Sequence, residues 1–238
     1  MIPKYTHILF DADNTLFDFD PVELYAIKTT FDELGLPFSD ETMKVYAPYN
    51  EGLWQQFEEG KIEKSFLLTH RFQWLGEQVG LPIDGAEFNV IYNGHLMERY
   101  ALMPGAEEVC RTLSQHTTMV VTTNGNSDMQ NHRFNSAVEI NKYFKGLFIS
   151  DELNCAKPSV EFYNKVFDAM GIEDKSKVLM VGDSVAADMV GANNAGIDCC
   201  WFNPKHQTQD KARITYEIDH LTQLIPIVLG EDDSHKEE

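Results

Sequence analysis

Basic residues are scarce: 19 Lys and Arg face 38 Asp and Glu across 238 residues, a net charge of −19. Such a surface repels polyphosphate, which argues against nucleic-acid polymers as partners. A small anion stays admissible, because a metal ion and a few local cations can invert the field inside one cleft. Cysteine is sparse too. Cys110, Cys155, Cys199 and Cys200 form no Cys-x-x-Cys pair and no Cys/His ligand spacing. That excludes a zinc knuckle or a disulfide framework and leaves them as small buried hydrophobes in a reducing compartment. None of the eight histidines stands in a His-Glu-x-x-His pattern, so none is assigned a metal. Long apolar runs are missing as well: none approaches the ~18 residues that mark a membrane helix. No charged segment with an apolar stretch precedes the first strand, so the expected setting is cytoplasmic, without membrane attachment.

What is present is globular: 43% hydrophobic and 11% aromatic residues, enough for a sizeable core. Five short apolar runs, at 8–10, 118–123, 147–149, 178–181 and 199–202, read as buried parallel strands. Helical patterns follow Pro104-Gly105, run from Ser159 to a stop at Gly171, and run from Ser184 to Gly196. Strand and helix in alternation predict an α/β fold, a doubly wound and mainly parallel Rossmann-like sheet. In such sheets ligands bind at the carboxyl ends of the strands.

Roughly a hundred residues separate the first two strands, too many for one crossover. The interval reads as helix throughout. One stripe carries Leu24, Ile27, Phe31 and Leu34; another carries Ile62, Phe66, Phe72, Leu75 and Val79; Asp84-Gly85-Ala86-Glu87 opens a third helix through Phe88, Ile91 and His95. The expected organisation is a core of residues 1–17 and 102–228, a helical cap over 18–101, and an acidic tail at 229–238.

The ends of the strands carry the chemistry. The first stops on Asp11-Ala12-Asp13, two like charges placed where they repel. A bare Asp-x-Asp is common in solvated turns and says little alone. The second strand ends in Thr122-Thr123-Asn124-Gly125, Lys157-Pro158 follows the third, and the fourth ends in Gly182-Asp183-Ser184 with Asp188 beyond. Parallel strands would bring all four sets to one edge. Carboxylates, a hydroxyl, an amide and an ammonium suit phosphoryl transfer with Mg²⁺, which takes oxygen ligands from one or two carboxylates plus water and phosphate.

Asp11-x-Asp13-x-Thr15, Thr123, Lys157-Pro158 and Gly182-Asp183 with Asp188 resemble, in order, the four motifs of the haloacid dehalogenase superfamily of phosphatases. The cap insertion resembles that family's helical cap type. Phe10-Asp11-Ala12-Asp13-Asn14-Thr15-Leu16-Phe17, Thr123-Asn124-Gly125, Cys200-Trp201-Phe202-Asn203 and Asn50-Glu51-Gly52-Leu53-Trp54 resemble, more narrowly, the pyrimidine 5′-nucleotidase subfamily. The resemblance implies a small phosphomonoester substrate, nucleoside 5′-monophosphates first. It implies Asp11 as nucleophile forming an aspartyl-phosphate, and Asp13 as acid and base. Asp11, the Asp13 carbonyl and Asp183 would hold Mg²⁺, with Asp188 orienting the metal shell or Lys157. Thr123, Asn124 and Lys157 would take the phosphoryl oxygens. Asn stands at position 14 where many members have Gly, a tolerable change because Asn accepts unusual backbone angles.

Each of these residues also has a plainer reading. Lys157 alone is a surface lysine, Thr123 a strand-end hydroxyl, Asp188 an acid favoured by a helix dipole. Trp54, Phe57, Phe72 and Trp74 are candidates to stack a base, with cap core as the ordinary alternative. Arg71 and Arg99 are candidate base or sugar contacts, with exposed helix arginine as theirs. A sugar-phosphate phosphatase or phosphomutase shares the same core motifs. A non-catalytic binding protein of this fold would be expected to have lost Asp11, Asp13 or Asp183, and none is lost.

Overall fold

The structure is a computed structural model that describes residues 2–230. Residues 231–238 of the expected acidic tail lie outside the described residues. The chain divides into two compact units, one formed by Phe19–Ala101 and the other by the segments on either side of it.

The larger unit is built on a six-stranded parallel sheet in the order β3-β2-β1-β4-β5-β6. Its strands are β1 His7–Phe10, β2 Thr118–Thr123, β3 Phe144–Ile149, β4 Val178–Gly182, β5 Asp198–Phe202 and β6 Tyr216–Ile218. The four strands from β2 through β1 and β4 to β5 are almost wholly buried, which explains their continuous apolar runs. Leu9, Val120, Met180, Cys199 and Trp201 pack on one side of the sheet with Phe162, Tyr163, Val166 and Phe167. Each such large apolar side chain stabilises the fold by about 1.5–3 kcal/mol relative to exposure. The expected apolar character of Cys110, Cys199 and Cys200 holds, while Cys155 is only half-buried.

The smaller unit contains four helices, α1 Asp20–Glu33, α2 Asp40–Glu58, α3 Lys64–Val79 and α4 Gly85–Leu96. In the larger unit follow α5 Ala106–Leu113, α6 Ser127–Ser136, α7 Ser150–Leu153, α8 Val160–Met170, α9 Val190–Ala195 and α10 Leu224–Leu229. Asp84 caps α4 by accepting the N–H groups of Ala86 and Glu87 at 2.9 and 3.0 Å. The predicted stops at Gly171 and Gly196 are left-handed C-caps of α8 and α9. Leu229, expected in the tail, is the last residue of α10. Among the described residues, no helix is long and apolar enough to cross a membrane.

The expected stripes need correcting at their ends. Leu24 and Phe66 are exposed, and α1 instead buries Val22, Glu23, Ala26, Ile27, Thr30 and Phe31. Glu23 is there because partners meet it: Asn50, Tyr92 and Tyr46 donate to its Oε1 at 3.0, 3.2 and 3.3 Å. Arg71, a candidate base or sugar contact whose plainer reading was an exposed helix arginine, is buried in the same cluster and donates to Asn50 and Asn89 at 3.2 and 3.1 Å. Burial pushes the Glu23 carboxyl upward, with Arg71 and the two tyrosine hydroxyls opposing.

Candidate active site

Strands β1 and β4 are neighbours, and here the strand order reverses direction, the place where open α/β sheets bind ligands. Asp11 follows β1 directly and its N–H donates to Val181 of β4 at 2.8 Å. Asp183 follows β4, so the two carboxylates leave adjacent strand ends. Asn14 adopts φ 58°, a left-handed conformation that turns the chain just beyond Asp13. Thr15 is fully buried, and its hydroxyl donates to Asp183 Oδ1 at 3.4 Å. Trp201, from the Cys-Trp-Phe-Asn stretch, donates its indole N–H to the Asp183 carbonyl at 3.0 Å.

Lys157 is the centre of the site. Its ammonium donates to Asp11 Oδ1 and Asp188 Oδ1, both at 2.6 Å, and to the Thr122 carbonyl at 2.9 Å. All three donor positions of the ammonium are thereby used. Burial alone would lower the Lys157 pKa, but Asp11 and Asp188 outweigh it and the net shift is upward. Burial pushes the Asp11 carboxyl up to about 7 against the pull of Lys157, with Asp188 and Asp13 adding to the rise. Asp188 is raised by burial too, again opposed by Lys157. The surface-lysine reading is excluded, since Lys157 is 2% exposed.

Asp188 reaches Lys157 because the chain after β4 turns through a π-helical segment, Val185–Met189. The Ser184 N–H donates to Asp188 Oδ2 at 3.1 Å. A Cβ at Gly182 would stand 2.2 Å from that same oxygen, so the glycine makes room for the acid. Tyr163 supports the segment from α8, donating to the Ala187 carbonyl at 3.4 Å.

Carboxylate oxygens of Asp11, Asp183 and Asp188 lie within 4.8 Å of one another. An all-oxygen donor set of this kind fits a hard divalent cation such as Mg²⁺. Asp188 joins this group as well as pairing with Lys157, whereas the Asp13 carboxylate does not belong to it.

Thr123 is buried and its Oγ1 accepts the Gly125 N–H at 3.0 Å. Asn124, expected to take a phosphoryl oxygen, has its side chain engaged with the lysine loop. Its Nδ2 donates to the Lys157 carbonyl and its Oδ1 accepts the Lys157 N–H, each at 2.9 Å. That reciprocal pair clamps the lysine loop.

Two residues of this region were not anticipated. Asp13 is met by Arg133 at 2.7 Å and by Gln130 Nε2 at 2.6 Å, both from α6. Both are essentially buried, and the helix bearing them is polar enough that no apolar stripe announces it. Their three-residue spacing, which puts both on one helix face, was the available signal.

The aromatic candidates separate. Phe72 is core, stacked on Tyr46 with centroids 5.5 Å apart. Trp74 stacks on Tyr49 at 3.6 Å, and Trp54 meets Phe57 edge to face at 5.9 Å. Arg99 lies over the Tyr25 ring at 3.6 Å.

A doubly wound sheet with carboxylates on adjacent strand ends and a buried lysine between them defines a class of hydrolase site, and comparison with known proteins agrees. A family model described as haloacid dehalogenase-like hydrolase matches residues 5–196. The chain therefore belongs to the haloacid dehalogenase-like hydrolase family. It is 33% identical to the HAD-hydrolase YfnB of Bacillus subtilis, over 94% of this chain and 96% of that one. It is 35% identical to the pyrimidine 5′-nucleotidase PynA of Streptococcus pneumoniae, over 93% and 94% of the two chains. With the pyrimidine 5′-nucleotidase YjjG of Escherichia coli it shares 31% identity over 93% and 96%. A crystal structure of YfnB bound to magnesium matches with a TM-score of 0.90, covering 94% of this chain and 98% of that one.

Proposed function

We propose that the protein is a Mg²⁺-dependent phosphatase of small phosphomonoesters, with nucleoside 5′-monophosphates as its substrate class. The observation that carries the reading is Lys157, held between Asp11 and Asp188 with Asp183 alongside. Two relatives named pyrimidine 5′-nucleotidase, at 35% and 31% identity, support the nucleotide class.

Asp11 is the nucleophile. One of its oxygens attacks phosphorus, the ester P–O bond breaks, and Asp13 gives its proton to the departing alkoxide. Asp13 then takes a proton from water as that water attacks the aspartyl-phosphate. The P–O bond to Asp11 breaks and inorganic phosphate leaves. Lys157 and the Thr123 hydroxyl hold the non-bridging oxygens, and Asn124 keeps Lys157 in place. Asp11, Asp183 and the Asp13 carbonyl would hold Mg²⁺, which supplies positive charge for the phosphoryl group. Asp188 fixes the lysine from the far side.

The decisive measurement is phosphate release from a panel of nucleoside monophosphates and hexose phosphates, with and without Mg²⁺. Asp11→Asn is expected to lose at least ~10³-fold in kcat, as expected when a covalent step disappears. Turnover by Asp11→Asn at the wild-type rate would remove Asp11 as nucleophile. Preference for hexose phosphates would overturn the nucleotide class while leaving the phosphatase standing.

A further inference from the structure

We infer that Gln130 and Arg133 are positioning residues that set where the Asp13 carboxylate stands, and so how well it moves the proton; the inference rests on the phosphatase reading above. Proton transfer in the transition state depends on placement of the acid to within a few tenths of an ångström. Asp13 sits on a short loop with its side chain 29% exposed, so something must hold it. Gln130 Nε2 donates to Oδ2 at 2.6 Å, and Arg133 Nη2 stands 2.7 Å from Oδ1 as its ion-pair partner, one group at each oxygen. A carboxylate has about four lone-pair sites, so both oxygens keep capacity for a substrate oxygen or a water.

The two holders are themselves locked. Arg133 Nη2 donates to Gln130 Oε1 at 2.7 Å, closing a triangle with Asp13. The Arg133 guanidinium lies 4.3 Å from the centroid of the Phe17 ring, four residues past Asp13 in the same loop. Asn126 anchors the start of α6 by accepting the Met129 N–H at 3.1 Å.

Gly125 supplies an independent observation. A Cβ there would stand 2.1 Å from Gln130 Nε2 and 2.9 Å from its Cδ and Cγ. The glycine of Thr123-Asn124-Gly125 is thus the gap through which Gln130 reaches Asp13. A helix–loop ion pair needed only for stability would not require that gap.

Two esters separate positioning from stability. An alkyl phosphate such as a nucleoside 5′-monophosphate leaves as an alkoxide and needs the proton; p-nitrophenyl phosphate leaves as a stable phenolate and needs it far less. kcat/KM reports the first chemical step for both, so the ratio of the two reads the acid alone. In Gln130→Ala and in Gly125→Ala the ratio of alkyl to nitrophenyl ester is expected to fall about tenfold or more, part of the 10²–10⁴ that a placed acid supplies. Arg133→Lys keeps the charge without the planar fork and is expected to lower the ratio less. Gln130→Ala and Gly125→Ala remove no charge, which keeps the test usable if the Arg133 variant does not fold. A ratio unchanged from wild type in both, whether or not the two rates drop together, overturns the inference and leaves the phosphatase reading intact. A wild-type protein inactive on both esters would instead overturn that reading, and this inference with it.

Discussion

Lys157 gathers more charge than any other residue of the site, and its removal gives the sharpest test at the scale of one side chain. Lys157→Met would leave Asp11 and Asp188 facing each other, buried, with their shared cation gone. Breaking a buried pair in this way costs about 3–5 kcal/mol. The sign of its pH dependence follows from Asp11. With a carboxyl pushed from 3.8 to about 7, this group contributes stability that is fully present below pH 3.8 and is lost as pH rises through 7. Without Lys157 the rise is steeper, so the variant's deficit is expected to be larger at pH 8 than at pH 5. Urea unfolding of the metal-free protein at both values measures it; equal deficits would show that the ammonium does not balance these acids. Most of this residue-scale picture was legible beforehand, because Asp11, Asp13, Lys157, Asp183 and Asp188 recur in a fixed order. The tolerance expected of Asn at position 14 is consistent with its φ of 58°, though the turn itself was not predicted. Nor was the Asn124 clamp, because a side chain's choice between phosphate and a neighbouring peptide depends on the folded loop.

At the scale of elements, what the sequence hid were segments whose pattern is weak. The helix α6 is polar along most of its length, and the residues that meet Asp13 were missed with it. Pro48 and Gly52 lie inside α2, so although the whole interval reads as helix, no stripe or boundary was assigned to this one. Strand β6 is three residues at the sheet edge, too short to show alternation. The strands buried on both faces were read almost to the residue, since only a continuous apolar run suits that environment. The π-helical turn after β4 stayed hidden behind a small-residue pattern that reads as ordinary α-helix, yet it aims Asp188. Gly182→Ala tests that aim: with the new methyl 2.2 Å from where Asp188 Oδ2 stands, the acid must move from Lys157. Activity is expected to fall at least ~tenfold, the size of effect seen when a group supporting a metal or catalytic residue is lost. The far-ultraviolet circular dichroism spectrum should stay that of the wild type. Wild-type kcat in a folded Gly182→Ala protein would show that Asp188 need not be held where it is.

For the whole molecule the question is how a chain with a net charge of −19 binds an anion. Four carboxylates, Asp11, Asp13, Asp183 and Asp188, face two cations, Lys157 and Arg133, leaving two negative charges that one divalent ion would cancel. Burial is the main reason the Asp11 carboxyl is raised, and the neighbouring Asp188 and Asp13 charges add to it. Mg²⁺ should therefore act first as a stabiliser and only then as a partner in turnover. A ligand that binds only the folded state adds about 2.7 kcal/mol at a hundredfold excess over its Kd. Thermal unfolding of the full chain is expected to shift upward with MgCl₂ and to move little with KCl at matched ionic strength, which separates binding from screening. Within the three-carboxylate cluster Lys157 donates to Asp11 and Asp188, so Asp183→Asn, which removes one carboxylate charge and leaves both of those bonds in place, should abolish the Mg²⁺ shift. An Asp183→Asn protein that still gains the full wild-type shift would move the metal away from the β1–β4 strand ends.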